Sequence, residues 1–400
     1  MQHASTTARA LKNALVDEIP QMLAMLEELV AVDSGSYDAD GVDQVGRRLA
    51  EAWAALGFVE EAHPLPARGA RRCLSRRMTG RGRLLILGHL DTVWPVGTVA
   101  GWGFSRDERF AAGPGVGDMK GGLVMAFFAV RRLLAAGFDG LAEIRHLLVP
   151  DEELGSPGSR AWIEEEAQAA DWVLVLEPAR PGGGVVVRRG AVGALVVEAR
   201  GRSAHAAVNP QDGASALKAL ARAVEPLEAL SRPADGIVVN VGRLTGGAAR
   251  QVVPDVAEMH VDLRAASDAE SRELLTQVRR ILSQPAPGVT LEIHGGITRP
   301  AFPRDASTKL YALLEAAASE IGAPLSPVET RGGSDGSFAA ALGRPTLDGL
   351  GPVCFDTCSR RERIEIVSLA ERGALFGALI AGLAPDGEAA AATRERATWA

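Results

Sequence analysis

Three mainly apolar runs in the first half of the chain each stop at a group able to hold a metal ion. RLLILGH (83–89) ends in His89, with Asp91 two residues on; EIRHLLVP (143–150) runs into Asp151-Glu152-Glu153; WVLVL (172–176) ends in Glu177. Short runs dominated by aliphatics read as buried strands. An apolar helix is expected from Gly121 to Ala136, between the first run and the second. Strand and helix in alternation place the chain in the α/β class, with a mainly parallel sheet covered by helices. Ligands collect beyond the carboxyl ends of such strands. His89, Asp151–Glu153 and Glu177 are therefore expected to converge, joined by Asp118 from the glycine-rich loop at 113–122.

Each of these groups also has a plainer reading. A lone acid after a strand often caps the next helix, and SPGS at 156–159 has the composition of a helix start. Four such groups in succession are harder to assign to capping alone. In HLD, residues i and i+2 point the same way, so the Asp91 carboxylate is expected beside the His89 imidazole, fixing its tautomer. Side chains of adjacent residues diverge, so in Glu152-Glu153 one carboxylate can bind metal while its neighbour carries protons.

The pattern changes after residue 178. PARPGGG (178–184) reads as a joint. VVVRRG, AVGALVVEARG, IVVNVGRLTGG, DVAEMHVDLR and VTLEIHG then read as strands of one antiparallel sheet with an open face, accompanied by helices at 213–230 and 267–283. We expect a smaller α+β domain at 186–297 inserted into a catalytic domain made of 1–185 and 298–400. The last residues, PDGEAAAATRERATWA, read as a loosely held tail.

Composition excludes several classes. With 43 Lys+Arg against 50 Asp+Glu the formal charge is −7, and there is no basic stripe of the kind nucleic acid requires. No apolar run approaches the ~20 residues of a membrane-spanning helix. Three cysteines in 400 residues give no disulfide framework, so a reducing cytoplasm is expected.

GHLDTV (88–93), GPGVGDMKGG (113–122), PDEELGS (150–156) and LEP (176–178) resemble, in order and spacing, the motifs of the co-catalytic zinc exopeptidases. That family includes glutamate carboxypeptidase, acetylornithine deacetylase, succinyl-diaminopimelate desuccinylase and aminoacylase, and the glutamate carboxypeptidase branch is the closest in motif. The resemblance implies a pair of zinc ions, with cobalt or manganese as substitutes. His89 and Glu177 would hold one, Glu153 the other, and Asp118 both, with a cis peptide after Asp118. Asp91 would support His89, and Glu152 would be the general base acting on a water between the ions.

GRSAHAAVNPQDG (201–213) resembles the family segment whose histidine, here His205, reaches across a homodimer to the tetrahedral intermediate. Gln251 stands where the carboxypeptidase has asparagine. ITRPAF (297–302) resembles the segment whose arginine, here Arg299, grips the substrate carboxylate, as a fixed guanidinium fork can. RGGSDGS (331–337) resembles the backbone loop beside the scissile group, with Gly332 and Gly333 allowing close approach.

One motif departs from the family. Where its last zinc ligand is a histidine, this chain reads GPVCFDTCSRRERI (351–364), with Cys358 at that position and no histidine after residue 294. A thiolate binds zinc well and prefers it to harder ions. Cys358 is the expected ligand, with Asp356 and Cys354 as alternatives. The implied activity is hydrolysis of an amide bond next to a free carboxylate, in a small peptide or an N-acyl amino acid. A deacylase is the alternative among enzymes, and a non-catalytic dimeric binding protein that has lost one metal is the alternative outside them.

Overall fold

The computed structural model describes residues 7–284 and 286–383, so the expected tail at 385–400 lies outside the described residues. The chain divides into two compact units: the described parts of Met1–Val187, Arg304–Glu329 and Ser334–Ala400 form one, and Arg188–Pro303 with Thr330–Gly333 form the other.

The first unit is built on a six-stranded sheet in the order Val59–Leu65, Gly69–Arg77, Glu143–Val149, Arg83–His89, Trp172–Val175, Thr346–Leu347. The last four run parallel, and the first two form an antiparallel flank. Alternate residues of each buried strand serve opposite faces. Leu84 and Ile86 enter the larger core, with residues of the helices Gly122–Ala135 and Ile366–Gly382. Leu85 and Leu87 enter a second core with Ile163, Ala167 and Phe338. With both faces covered, most positions of these strands are aliphatic, with Glu143, Arg145 and His146 as polar exceptions on Glu143–Val149.

Register carries the chemistry to one edge. His89 pairs level with Val149, and Leu87 with Val175. Residues 152, 153 and 177 therefore leave the sheet just past the same edge as His89. Beside it lies a small four-stranded sheet, in the order Cys354–Phe355, Arg363–Glu365, Phe110–Ala112, Ser105–Arg106. Its outer hairpin pairs Phe355 with Arg363 and so presents residues 356–362 as a loop.

The second unit carries a four-stranded antiparallel sheet, in the order Val238–Gly246, Val256–Ala265, Ala191–Arg200, Thr290–Arg299. The helices Ala216–Glu228 and Asp268–Leu282 cover one face, burying Leu220, Leu227, Leu274 and Val278 against Leu195, Val197, Met259 and Val261. Ser267 caps the second helix: its hydroxyl accepts from the Glu270 amide at 3.2 Å and donates to the Glu270 carboxylate at 2.8 Å. VVVRRG does not join this sheet. Gly184–Arg189 instead pairs with Ser326–Thr330 as a separate two-stranded sheet, and Val185, Val186 and Val187 are all buried. Three buried valines in a row carry no alternation to reveal which sheet they serve.

Candidate active site

His89 is 1% exposed and sits at the end of its strand. Its Nδ1 lies 2.8 Å from the Asp91 carbonyl oxygen, which assigns the proton to Nδ1 and turns Nε2 toward the acids. The Asp91 carboxylate is farther from Nδ1, at 3.5 Å. The nearer group at Nδ1 is thus the carbonyl of Asp91, with its carboxylate behind it. That carboxylate accepts instead from the amides of Glu152 at 3.1 Å and Glu153 at 3.2 Å, and from Ser36 Oγ at 2.7 Å. The short 3-10 turn Glu152–Leu154 begins with amides that have no partner within the turn, and Asp91 satisfies them. Asp91 thus ties the His89 strand to the Glu152-Glu153 pair.

Asp118 arrives from the segment Val116–Gly121, in which its φ of −112° and ψ of 92° are non-helical. The Asp118–Met119 peptide is cis, as the resemblance implied. Asp118 Oδ1 lies 3.0 Å from His89 Nε2, and Glu177 Oε1 lies 3.9 Å from it. Two triads can be drawn with ligand atoms within 4.8 Å of one another: His89, Glu152 and Glu177, and His89, Asp118 and Glu153.

The electrostatics fit a bound cation. Burial opposes charge on His89, yet its hydrogen bond to Asp118, aided by Asp91, holds the imidazole pKa well above its ordinary value. Burial, then the charge of Asp118, pushes the Glu153 carboxyl up to about 10, and the same two causes hold Glu177 well above the carboxylate range. Glu153 Oε1 is buried with no hydrogen-bond partner. Four carboxylates around one imidazole cannot all be ionised without further positive charge among them. Oxygen and nitrogen donors in this arrangement are a ligand set for divalent metal.

Of the three groups in the hairpin considered as the last ligand, only Cys358 meets this cluster among the described residues: its Sγ is 3.4 Å from Asp118 Oδ2. It lies in neither triad. Burial and the charge of Asp118 push its thiol pKa up. Asp356 pairs with Arg363 at 2.7 Å and Arg361 at 3.6 Å. Cys354 is buried in the larger core, where burial pushes its thiol up to about 12.

The remaining expected residues belong to the second unit. His205 is exposed, and its Nδ1 accepts from the amides of Ala207 at 3.2 Å and Val208 at 3.3 Å. The proton is thereby assigned to Nε2, which is left as a donor. Gln251 is its near neighbour: its carbonyl accepts from the Ala206 amide at 2.9 Å. Arg299 is 7% exposed at the end of its strand, so close to Gly333 that a Cβ there would lie 2.8 Å from Arg299 Cδ. Arg189, not singled out from sequence, donates to the carbonyls of Gly332 and Gly333, each at 3.0 Å.

Two further groups escaped the sequence reading. Ser36 is buried against Asp91. Glu362 is buried against the amides of Gly117, Asp118 and Cys358. Burial and the charge of Asp118 push the Glu362 carboxyl up to about 7, although those amides pull it down. The signal for Glu362 was faint: one acid among three arginines in RRER.

Residues 85–382 match the model of Peptidase family M20/M25/M40. Carboxypeptidase G2 of Pseudomonas sp. (strain RS-16) is 29% identical over 380 residues, covering 93% of this chain and 92% of that protein. A succinyl-diaminopimelate desuccinylase of Stutzerimonas stutzeri is 28% identical over 326 residues, covering 76% and 83%. The structure of an M20 family metallo-carboxypeptidase from Sulfolobus solfataricus superimposes with a TM-score of 0.74 at 18% identity, over 90% of this chain and 98% of that one.

Proposed function

The chain belongs to peptidase family M20/M25/M40, metal-dependent hydrolases of amide bonds, and from that premise we propose that it cleaves an amide next to a free carboxylate. The observation that carries this reading is the convergence of His89 with Asp118, Glu152, Glu153 and Glu177 at one edge of the parallel sheet. Small peptides with a terminal carboxylate, and N-acyl amino acids, are the substrate class.

His89, Asp118, Glu153, Glu177 and Cys358 would hold two zinc ions, the sulfur ligand favouring zinc over cobalt or manganese. When bound, such ions acidify water and stabilise negative charge developing on the carbonyl oxygen. Glu152 takes the proton of the attacking water and returns it to the leaving nitrogen. Asp91, holding the Glu152 amide, keeps that carboxylate in place. Arg299 receives the substrate carboxylate, with Gln251 and the Gly332-Gly333 backbone as the remaining contacts. His205, with its proton on Nε2, supplies a donor to the developing oxyanion. The inserted 186–297 region acts as the dimerisation domain of a homodimer, and the free thiols Cys73, Cys354 and Cys358 suit a cytoplasmic setting.

The test is hydrolysis of a panel of dipeptides, N-acyl amino acids and their carboxamides, before and after chelation. Cleavage of the free acids only, abolished by chelator and restored by zinc, is the expected result. Equal cleavage of the carboxamides, or activity that survives chelation, would contradict the reading. Relative rates on acetyl, succinyl and aminoacyl substrates separate a carboxypeptidase from a deacylase.

A further inference from the structure

The hairpin that carries Cys358 is not an inherently stable place for a ligand. Asp356 and Cys358 have φ of +54° and +58°, a left-handed region that costs non-glycine residues about 1–2 kcal/mol each. The loop needs an external hold. It has one in Glu362, which is 1% exposed. One carboxylate oxygen accepts from the Gly117 amide at 2.9 Å and the Asp118 amide at 3.2 Å. The other accepts from the Cys358 amide at 3.3 Å. The Glu362 amide donates to the Ser359 carbonyl at 3.0 Å, closing the turn behind it. Among the described residues the carboxylate is in no ion pair, so its hydrogen bonds go to backbone rather than to a cation. On the other side, Gly117 is packed so tightly that a Cβ would collide with Cys354 Sγ.

The geometry points to Glu362 as a positioning residue for metal binding: one carboxylate holds the loop of Asp118 to the loop of Cys358 and so fixes the two ligands at the separation a shared ion needs. This rests on the reading of Cys358 as a ligand. The residues held lie 4 and about 245 positions from Glu362, so no local turn reproduces the link. A buried carboxylate accepting three amides has a role that an amide side chain cannot fill, since its nitrogen presents hydrogens where one set of acceptors stood.

Cobalt(II)-loaded protein provides the test, because a thiolate ligand gives cobalt a near-ultraviolet charge-transfer band that oxygen and nitrogen ligands do not. We expect the unmodified chain to bind two cobalt ions and to show the band. Glu362→Ala is expected to lose the band and one ion while keeping the visible absorption of the other. Glu362→Gln keeps the size of the side chain and is expected to weaken the thiolate-bound ion about 10–100-fold, the usual effect of removing a group that orients a metal ligand. If the alanine variant does not fold, as judged by circular dichroism, titration of the glutamine variant decides. Full band and unchanged affinity in a folded Glu362 variant would overturn the inference alone. A missing band in the unmodified chain would overturn the ligand role of Cys358 and this inference with it.

Discussion

The ligands proposed at the sheet edge and the one proposed in the hairpin are held by different means. His89 leaves a strand whose neighbours fix it by register, at the level of Val149, with Glu177 and the Glu152-Glu153 pair just beyond. The strands they follow are locked by ladder hydrogen bonds and packed into two buried cores. Cys358 leaves a loop in a left-handed conformation, and its position rests on a few hydrogen bonds to one carboxylate. Where strand register supplies precision, the residue type can be the family's own. Cys358, where the resemblance expects a histidine, falls where precision comes from a loop, which can adjust to a different side-chain length.

Several experiments sharpen or break this contrast. The largest effect is expected at the sheet edge. Glu152→Gln should lower kcat by about 10²–10⁴ with bound metal unchanged, the usual scale for losing a general base. Loss of metal together with rate would instead make Glu152 a ligand, as its place in a triad with His89 and Glu177 permits.

In the hairpin, Cys358→Ser is expected to empty one metal site and to reduce turnover by at least about tenfold. Cys358→His should restore both and shift preference from zinc toward cobalt or manganese, since the soft ligand is gone. A serine variant with full metal and rate would remove Cys358 from the site.

The second unit gives a subtler readout. Arg299→Ala should raise KM for carboxylate substrates by about tenfold or more and leave KM for their carboxamides nearly unchanged. Parallel increases for both would exclude a carboxylate contact.

The smallest effect on catalysis is expected at His146, on the strand Glu143–Val149 that leads to the acids. Both ring nitrogens are buried without partners, the ring lies 4.8 Å from that of Trp53, and burial holds its pKa down to about 3. The depressed value means the unfolded chain takes up a proton first. Stability is then complete above the unfolded pKa near 6.5 and falls as pH drops toward 3, by roughly 2 kcal/mol at pH 5. His146→Leu should flatten that acid slope in denaturant melts while leaving kcat at neutral pH unchanged. An unchanged slope would show that other groups set the acid limit.

The sheet-edge half was legible in the sequence because strands covered on both faces are rich in aliphatic residues. A histidine or acid at the end of such a run then marks where the strand meets solvent or a site, as His89, Asp151 and Glu177 do. What depended on distant partners was not legible. The spacing in HLD puts Asp91 near His89, but the amides its carboxylate serves belong to a turn about sixty residues away. Glu362 meets Gly117 across 245 residues. Val185–Val187 misled because a fully buried strand does not announce its sheet. Cys358 stood out only as a departure from an expected histidine, and its contact with Asp118 is a matter of loop conformation that spacing does not encode.

The proposed activity requires two cations near Asp118, and elemental analysis of zinc-replete protein after exhaustive dialysis tests this most directly. Two zinc ions per chain, falling to one in Cys358→Ser, is the result expected. One ion or none in the unmodified chain would contradict it.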